Sequence, residues 1–254
     1  MRWIGGAVIL FLLAVAAHAE NLTIALSTPE VRIDSNFTGT TITIFGVIER
    51  DAATISRTAG YEVVTLALGP LESVVARRKD RILGIWANRA SETIIAVPSF
   101  YSLNTSRELD KIGTPPVLSQ HELGFPNIGF RYASTPDVND PDAKEFRDAF
   151  LRLKSEAGLY SEHIGGVTFI ANSVFRSTIW IPANVPVGRY TVTVHLFSGN
   201  TYLRDASDQF DIIKTGFERY MFSLSRSQSL FYGLGCVTLA LFTGWLAGVI
   251  FRRD

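Results

Sequence analysis

Polar and apolar residues alternate through much of the first hundred residues. The segment from Thr41 to Phe45 alternates, and so does the run from Tyr61 to Leu68, which ends at Gly69-Pro70. A period of two residues is typical of strands that bury one face. Further strands are predicted at 73–76, 82–86 and 93–97, and the charged run 77–81 is predicted to form a hairpin tip. Residues 20–100 are therefore predicted to form the first part of a β-rich domain.

The middle of the chain, residues 101–163, has helical signals instead. Thr105 to Glu108 and Ser119 to Glu122 both fit the capping box, which satisfies the free N–H groups at the start of a helix. The longest helix is predicted from Asp140-Pro141 to Gly158. Its apolar stripe comprises Ala143, Phe146, Phe150, Leu153 and Ala157. We expect this stripe to pack onto the sheets, and docking of a partner helix is the alternative.

Strand patterns return over residues 164–213. They are predicted at 167–171, 176–181, 189–197 and 201–213. The turn from Pro186 to Tyr190 resembles the tyrosine corner before strand F of immunoglobulin-like sandwiches. Side chains alternate along this strand, which predicts that His195 points outward. The predicted fold is mainly β: one immunoglobulin-like β-sandwich with a helical insertion, with two small β-domains as the alternative.

The two ends of the chain predict its topology. Residues 1–19 have the apolar core and the Ala17-His18-Ala19 motif of a cleaved signal peptide. Residues 229–251 carry no charge and are long enough for a transmembrane helix. Arg252 and Arg253 follow, so residues 252–254 are predicted to be a cytoplasmic tail. A juxtamembrane helix is predicted at 214–228. The expected location is a bacterial inner membrane, single-pass, with the N-terminal domain in the periplasm.

Composition narrows the class of protein further. The chain has 24 Lys and Arg residues against 24 Asp and Glu residues. A balanced charge without a long basic run argues against nucleic-acid binding. The single cysteine excludes an intramolecular disulfide. A disulfide-free exported domain is more typical of a bacterial periplasm than of a eukaryotic cell surface.

The common catalytic signatures are missing from the sequence. It has no GxSxG elbow, HExxH motif, CxxC motif, Walker loop or Rossmann glycine fingerprint. The pairs His121-Glu122 and Glu162-His163 could supply zinc ligands if they lay close together in the fold. Their separation along the sequence gives no reason to expect this. We therefore predict a non-enzymatic protein without a metal or cofactor. A periplasmic enzyme with a site in the helical insertion is a minor alternative.

Two sets of residues are candidates for contacts with other molecules. The first is a group of basic residues that could bind an anion or contact lipid headgroups. The simpler interpretation of these residues is a solvated hairpin end. The second is a row of small residues at every fourth position of the transmembrane segment, where another helix can approach closely. The basic group comprises Arg77, Arg78, Lys79 and Arg81, and the small-residue row comprises Cys236, Ala240, Gly244 and Gly248.

A family resemblance is carried by five segments of the chain: 41–46, 83–88, 97–101, 123–124 and 146–188. In these segments the chain resembles the predicted transmembrane protein family of Alphaproteobacteria. It implies a signal peptide, an exported domain and a C-terminal span, and it supplies no catalytic residue. It also implies an integral membrane partner, with a sulfite-exporter-type anion permease as the candidate. We predict an accessory or assembly subunit of such a partner, or self-association through the span. The alternative is a tethered periplasmic binding module for a ligand or protein.

Overall fold

The computed structural model describes residues 20–49, 60–82, 84–133, 141–216 and 224–250. The predicted signal peptide and the predicted cytoplasmic tail both lie outside these residues. The strands are β1 Asn21–Leu26, β2 Glu30–Ile33, β3 Gly39–Glu49, β4 Tyr61–Leu68, β5 Leu71–Ile82, β6 Ile85–Pro98, β7 Tyr101–Thr105, β8 Arg131–Tyr132, β9 Tyr160–Ile164, β10 Val167–Ala171, β11 Val174–Pro182, β12 Gly188–Ser198 and β13 Thr201–Lys214. The helices are α1 Pro115–Gln120, α2 Pro141–Glu156 and α3 Ser229–Ile250, and short 3-10 turns lie at Leu109–Lys111 and Phe125–Asn127.

Two sheets form the sandwich. One has the strand order β1-β3-β11-β10, and the other has the order β2-β13-β12-β4-β7-β9. Each sheet combines strands from before and after the helical region, and the buried side chains form one connected core. The prediction of a single mainly β sandwich is confirmed, and the alternative of two small β-domains is wrong.

The core follows the predicted alternation. On β3 the inward residues Ile42, Ile44 and Ile48 are buried, whereas Phe45 and Val47 face outward and are partly exposed. Between these isoleucines, Gly46 leaves room for the ring of Phe175 on β11, because a Cβ at this position would lie 2.0 Å from the Cζ atom of Phe175. The ring of Phe175 can therefore pack directly against the backbone of β3 at Gly46.

The predicted tyrosine corner is present. The hydroxyl of Tyr190 donates a hydrogen bond to the carbonyl oxygen of Pro186 at 2.5 Å. The ring of Tyr190 is buried between Phe100, at 5.7 Å between centroids, and Phe210, at 5.1 Å. This hydrogen bond fixes the turn that leads into β12.

A third sheet, β5-β6-β8, extends from the sandwich as a long hairpin. The predicted strands at 73–76 and 93–97 are confirmed as parts of the longer β5 and β6, whereas the predicted strand at 82–86 is wrong, because the turn between β5 and β6 interrupts it. The predicted hairpin tip at 77–81 is also wrong, since all of these residues belong to β5 and pair with β6, and the turn follows Ile82. Helix α2 packs on this hairpin and on β9.

The helical insertion differs from the prediction in its limits and in its first helices. The predicted range 101–163 begins with β7 and ends with β9, both in the six-stranded sheet. Thr105 ends β7 and Ser119 lies inside α1, so neither begins a helix through a capping box. The long helix is confirmed at Pro141–Glu156, although Asp140 lies outside the described residues.

The apolar stripe of α2 packs only in part as predicted. Phe146 and Phe150 are buried, and the ring of Phe150 makes edge contacts with Phe130 and Tyr160. Leu153, by contrast, is 59% exposed. The predicted juxtamembrane helix at 214–228 lies partly outside the described residues, but Lys214 still belongs to β13 and residues 224–227 are helical.

Candidate functional site

The apolar helix α3 is the first candidate. It spans 22 residues, with a mean hydropathy of 1.8 over its most apolar window, and none of that window is buried by the rest of the protein. The hydroxyls of Thr238 and Thr243 donate hydrogen bonds to the carbonyl oxygens of Leu234 and Leu239, four residues earlier. The polar hydroxyls of these two threonines are thereby satisfied within the helix, as hydrocarbon surroundings require.

The predicted small-residue row lies on one side of α3. Cys236, Ala240, Gly244 and Gly248 are all exposed, and Cys236 is a free thiol. A Cβ added at Gly244 or Gly248 would meet no other described atom within 4 Å. At about 100° per residue, Gly235 lies on the opposite side of the helix and therefore offers an internal control for this face.

The predicted basic group is divided between the two faces of β5. Arg77, Lys79 and Arg81 lie on the exposed face. Arg78 lies on the other face, where its Nη1 contacts Asp142 at 2.8 Å and Glu145 at 2.7 Å on α2. The hydrogen bonds to these carboxylates, and the charges they carry, raise the pKa of Arg78. Arg78 therefore joins the hairpin to α2, and the other three basic residues remain on the surface.

A small cavity lies between the six-stranded sheet and the first 3-10 turn. Its volume is about 240 Å³. Side chains from one face of β7 and β9 line this cavity. In the parallel β7–β9 ladder, Leu103 pairs with Glu162 and Thr105 pairs with Ile164. The lining residues are Leu103, Thr105, Glu108, Leu109, Asp110, Glu162, His163 and Ile164.

The direction of β7 explains why this face meets the cavity. Asn104 points between the sheets, where its amide donates hydrogen bonds of 2.9 Å to Ser177 Oγ and to the carbonyl oxygen of Thr178. Its neighbours Leu103 and Thr105 therefore point to the outer face of the six-stranded sheet. The insertion covers this face, and Tyr101 holds it there by donating to the carbonyl oxygen of Glu122 and accepting from the N–H of Gly124.

Two polar side chains of the cavity lining differ in their exposure: Thr105 is buried and Glu162 is exposed. Thr105 is 2% exposed, and its hydroxyl has no hydrogen-bond partner among the described residues. Glu162 accepts a hydrogen bond of 2.5 Å from the N–H of Phe125. Burial raises the pKa of Glu162, and the hydrogen bond from Phe125 opposes this effect. A buried threonine and an exposed carboxylate therefore lie beside three aliphatic side chains in this small space.

The histidines are arranged differently from the prediction. His195 was expected to point outward, but it is only 4% exposed, because the insertion places His121 over this face of β12. The two imidazole centroids are 5.1 Å apart, and the ring of Tyr202 stacks on His121 at 4.4 Å. Burial, together with the smaller effect of the neighbouring His121, lowers the pKa of His195 to about 4, although Asp205 acts in the opposite direction.

The possible zinc ligands do not form a metal site in the part of the chain that the structure describes. There, no group of three or more His, Cys, Asp or Glu side chains is arranged to hold a metal ion. Glu122 accepts from the N–H of Gly129 at 3.3 Å, and Glu162 accepts from Phe125. His121 lies against His195 rather than in a cluster of ligands.

Sequence reasoning missed the residues that build the cavity. Thr105 was interpreted as a helix cap, and Leu103 and Ile164 carried no signal beyond their hydrophobicity. The alternation on either side of Asn104 could have placed Leu103 and Thr105 on one face, but nothing local indicated which strand would pair beside them. The cavity depends on a parallel contact between segments about 60 residues apart, Leu103 and Glu162 among them.

Comparison with known proteins identifies the family and adds no function. Among curated proteins, none matches this chain. Among solved structures, one similar chain is AggA, the major subunit of aggregative adherence fimbriae type I from Escherichia coli, with 12% identity and a TM-score of 0.29, covering 78% of this chain and 97% of AggA.

A family model described as "Putative transmembrane protein (Alph_Pro_TM)" matches residues 21–253. The match includes both the sandwich and α3, the described helix that is long and apolar enough to cross a membrane. The chain belongs to the Alph_Pro_TM family of transmembrane proteins and has a single described membrane-spanning helix at its C-terminal end.

Proposed function

We propose that this protein is a non-enzymatic accessory or assembly subunit of an integral membrane partner. In this proposal α3 packs against the partner through the small-residue row, and the sandwich lies on the periplasmic side of a bacterial inner membrane. The predicted signal peptide at 1–19 and the arginines at 252 and 253 support this orientation. An anion permease of the sulfite-exporter type is the partner to test first, because the family resemblance implies it.

The observation that carries the proposal is the side of α3 formed by Cys236, Ala240, Gly244 and Gly248. Hydrophobic burial does not drive helices together within lipid, so association depends on close packing, which small residues allow. A passive anchor does not require small residues at every fourth position over three successive intervals. The last strand of the sandwich, β13, ends at Lys214, and α3 begins soon afterwards at Ser229, so the sandwich stays near any integral partner.

Co-purification from native membranes tests the proposal. The tagged full-length protein should recover a stoichiometric integral membrane protein, and Gly244→Leu/Gly248→Leu should abolish this recovery. Gly235→Leu adds the same side chain on the opposite side of the helix, so the complex should survive this change. The proposal is overturned if the double variant retains every membrane association, or if both variants lose the partner equally.

A tethered binding module is the second candidate, because the cavity beside Thr105 offers a place for a ligand. In that case α3 acts only as an anchor. Replacing α3 by an unrelated transmembrane helix of equal length should then preserve function in cells. Loss of function after this replacement, with the sandwich still folded and exported, contradicts the binding-module candidate.

A further inference from the structure

We propose that the outer hairpin face, the face of the β5-β6-β8 sheet turned away from α2, binds the anionic lipid headgroups of the membrane that α3 spans. In this proposal the basic side chains of this face contact lipid phosphates, and its aliphatic side chains lie against the headgroup region. The surface is separate from α3 and does not depend on the proposed membrane partner.

The position of the hairpin is the first observation. The chain leaves the sandwich for α3 at Lys214, the last residue of β13, and Gly188 at the start of β12 pairs with Ile212 close to this point. β4 ends at the same end of the sandwich, because its last residue, Leu68, pairs with Thr191 near the start of β12. β5 follows β4 directly, so the hairpin begins at the end of the sandwich that is connected to the transmembrane helix.

β5 and β6 continue the pairing of β4 with β7 beyond this end. The N–H of Gly69 donates to the carbonyl oxygen of Phe100, and the N–H of Ser99 donates to that of Pro70, both at 2.9 Å. The 12 residues of β5 extend the hairpin by roughly 40 Å, at about 3.3 Å per residue. Residues 215–228, between β13 and α3, reach at most about 50 Å when fully extended. The hairpin is therefore long enough for its outer face to meet the surface of the membrane.

The charge of the outer hairpin face is the second observation. Arg77, Lys79 and Arg81 occupy alternate positions of β5, and Arg131 on β8 joins them by pairing with Ile95 of β6. All four basic side chains are exposed. The described residues of this face include no acidic side chain, and Arg77, Lys79 and Arg131 form no ion pair with any described residue. The face therefore carries an excess of positive charge that the protein does not neutralise.

The opposite face of the hairpin has a different arrangement of charges. There Arg78 contacts Asp142 and Glu145 of α2, and Glu72 contacts Lys154 of the same helix. Basic residues on that face thus have partners within the protein. Exposed guanidinium and ammonium groups without such partners are suited to phosphate oxygens, and a membrane surface presents many phosphates at once. Anionic lipid therefore complements the outer hairpin face.

Aliphatic side chains on the same face favour a membrane as the partner. Leu71, Val75 and Ile95 are 68%, 50% and 40% exposed. A surface that combines cationic groups with apolar side chains is suited to the boundary between headgroups and acyl chains. An acidic protein could also match the charges. Only the membrane, however, is held beside this end of the sandwich by the chain itself, which raises its effective concentration.

Fluorescence quenching from the lipid headgroups tests this surface in the full-length protein. Cys236→Ala/Ser91→Cys places a single fluorescent label on the outer hairpin face, since Ser91 is exposed and pairs with Arg77. The nanodiscs contain phosphatidylcholine, alone or in a three-to-one mixture with phosphatidylglycerol, and a trace of lipid with a nitroxide headgroup as the quencher. We expect much stronger quenching in the anionic nanodiscs, and its loss in about 1 M salt, where the Debye length is about 3 Å. Equal quenching in both lipids, or quenching that salt does not change, overturns the proposal.

Two double variants of the labelled chain connect the quenching to named residues. Arg77→Gln/Lys79→Gln should lower the ratio of bound to unbound hairpin roughly 30-fold in anionic nanodiscs, because each basic residue strengthens contact with an anionic surface roughly fivefold. Lys144→Gln/Arg152→Gln removes the same charge from exposed positions of α2 and should change this ratio less than about twofold. The proposal is contradicted if the two double variants lose quenching equally, or if neither loses any.

A comparison with native membranes distinguishes lipid from an acidic protein partner. The accessibility of the thiol in unlabelled Cys236→Ala/Ser91→Cys to a water-soluble maleimide is measured in native membranes and in the anionic nanodiscs. Equal protection in both indicates that lipid alone covers the outer hairpin face and supports the proposal. Protection in native membranes without protection or quenching in the anionic nanodiscs assigns this face to a protein, and the membrane proposal is then wrong.

Discussion

Acidification is expected to destabilise the sandwich through His195, and His195→Phe should remove most of that sensitivity. The imidazole is 4% exposed, and its Nδ1 has no hydrogen-bond partner among the described residues. A proton on this ring would create a buried positive charge 5.1 Å from the ring of His121. Asp205, directly across the β12–β13 ladder, offsets this in part, although its carboxylate also accepts from Tyr202 at 2.7 Å.

The magnitude follows from linkage between protonation and folding. The pKa of His195 is lowered to about 4 in the folded protein, whereas an unfolded histidine titrates near 6.5. Both states are neutral above about pH 6.5, so His195 contributes no pH dependence there. Between about pH 6.5 and about pH 4 only the unfolded state gains the proton, and stability falls by about 1.4 kcal/mol per pH unit. The expected loss at about pH 5 is therefore about 2 kcal/mol, from a total that is typically 5–15 kcal/mol.

Urea unfolding of the full-length protein in detergent, followed by tryptophan fluorescence at several pH values, measures this slope. Any packing cost of the larger phenylalanine ring shifts stability equally at every pH, so the difference in slope isolates the titration of His195. The titration of carboxylates contributes the same pH dependence of stability to the wild type and to His195→Phe. Parallel pH profiles for the wild type and His195→Phe would refute the reasoning.

Three substitutions test the packing described above by the same unfolding assay. Tyr190→Phe removes the corner hydrogen bond and should cost about 1 kcal/mol, so unchanged stability would count against the corner. Gly46→Ala should cost roughly 1–3 kcal/mol through its clash with Phe175, and Phe175→Leu in the same chain should recover part of that loss. Lys154→Met should cost about 1 kcal/mol or more, because the ammonium contacts Glu72 at 2.5 Å from a largely buried position; no loss would show that this ion pair is unimportant.

The alternation of side chains predicted the sandwich well where one face of a strand meets the core. On β12, Tyr190, Val192 and Val194 are completely buried as the pattern implied. The same pattern failed for His195, because local alternation identifies two faces but not what covers the outer one. The insertion brings His121 onto that outer face. Only tertiary structure provides this information.

The hairpin shows a second limit of local signals. A run of five charged residues resembled a turn, yet Arg77 to Arg81 lie in a strand whose two faces meet solvent and α2. Gly84, with φ of +88°, marks the turn instead, and a glycine is the ordinary residue for such a conformation. At Thr105 the capping-box pattern occurred by chance at the end of a strand. The sequence did not reveal the candidate cavity, because this pattern predicted a helix at Thr105. The cavity also depends on the parallel pairing of β7 with β9, which no local pattern indicates.

Thiol-directed cross-linking from Cys236 in native membranes tests the central claim most directly. Cys236 is the only cysteine of the chain and lies on the small-residue side of α3, so a maleimide photo-cross-linker attached there reports what contacts this face. Cys236→Ala/Gly235→Cys moves the reagent about 100° around the helix, away from the small-residue row, as the matched control. The account predicts an adduct with one integral membrane protein from Cys236 and far less from the control position. Equal adducts from both positions, an adduct only with a second copy of this chain, or none at all would contradict it.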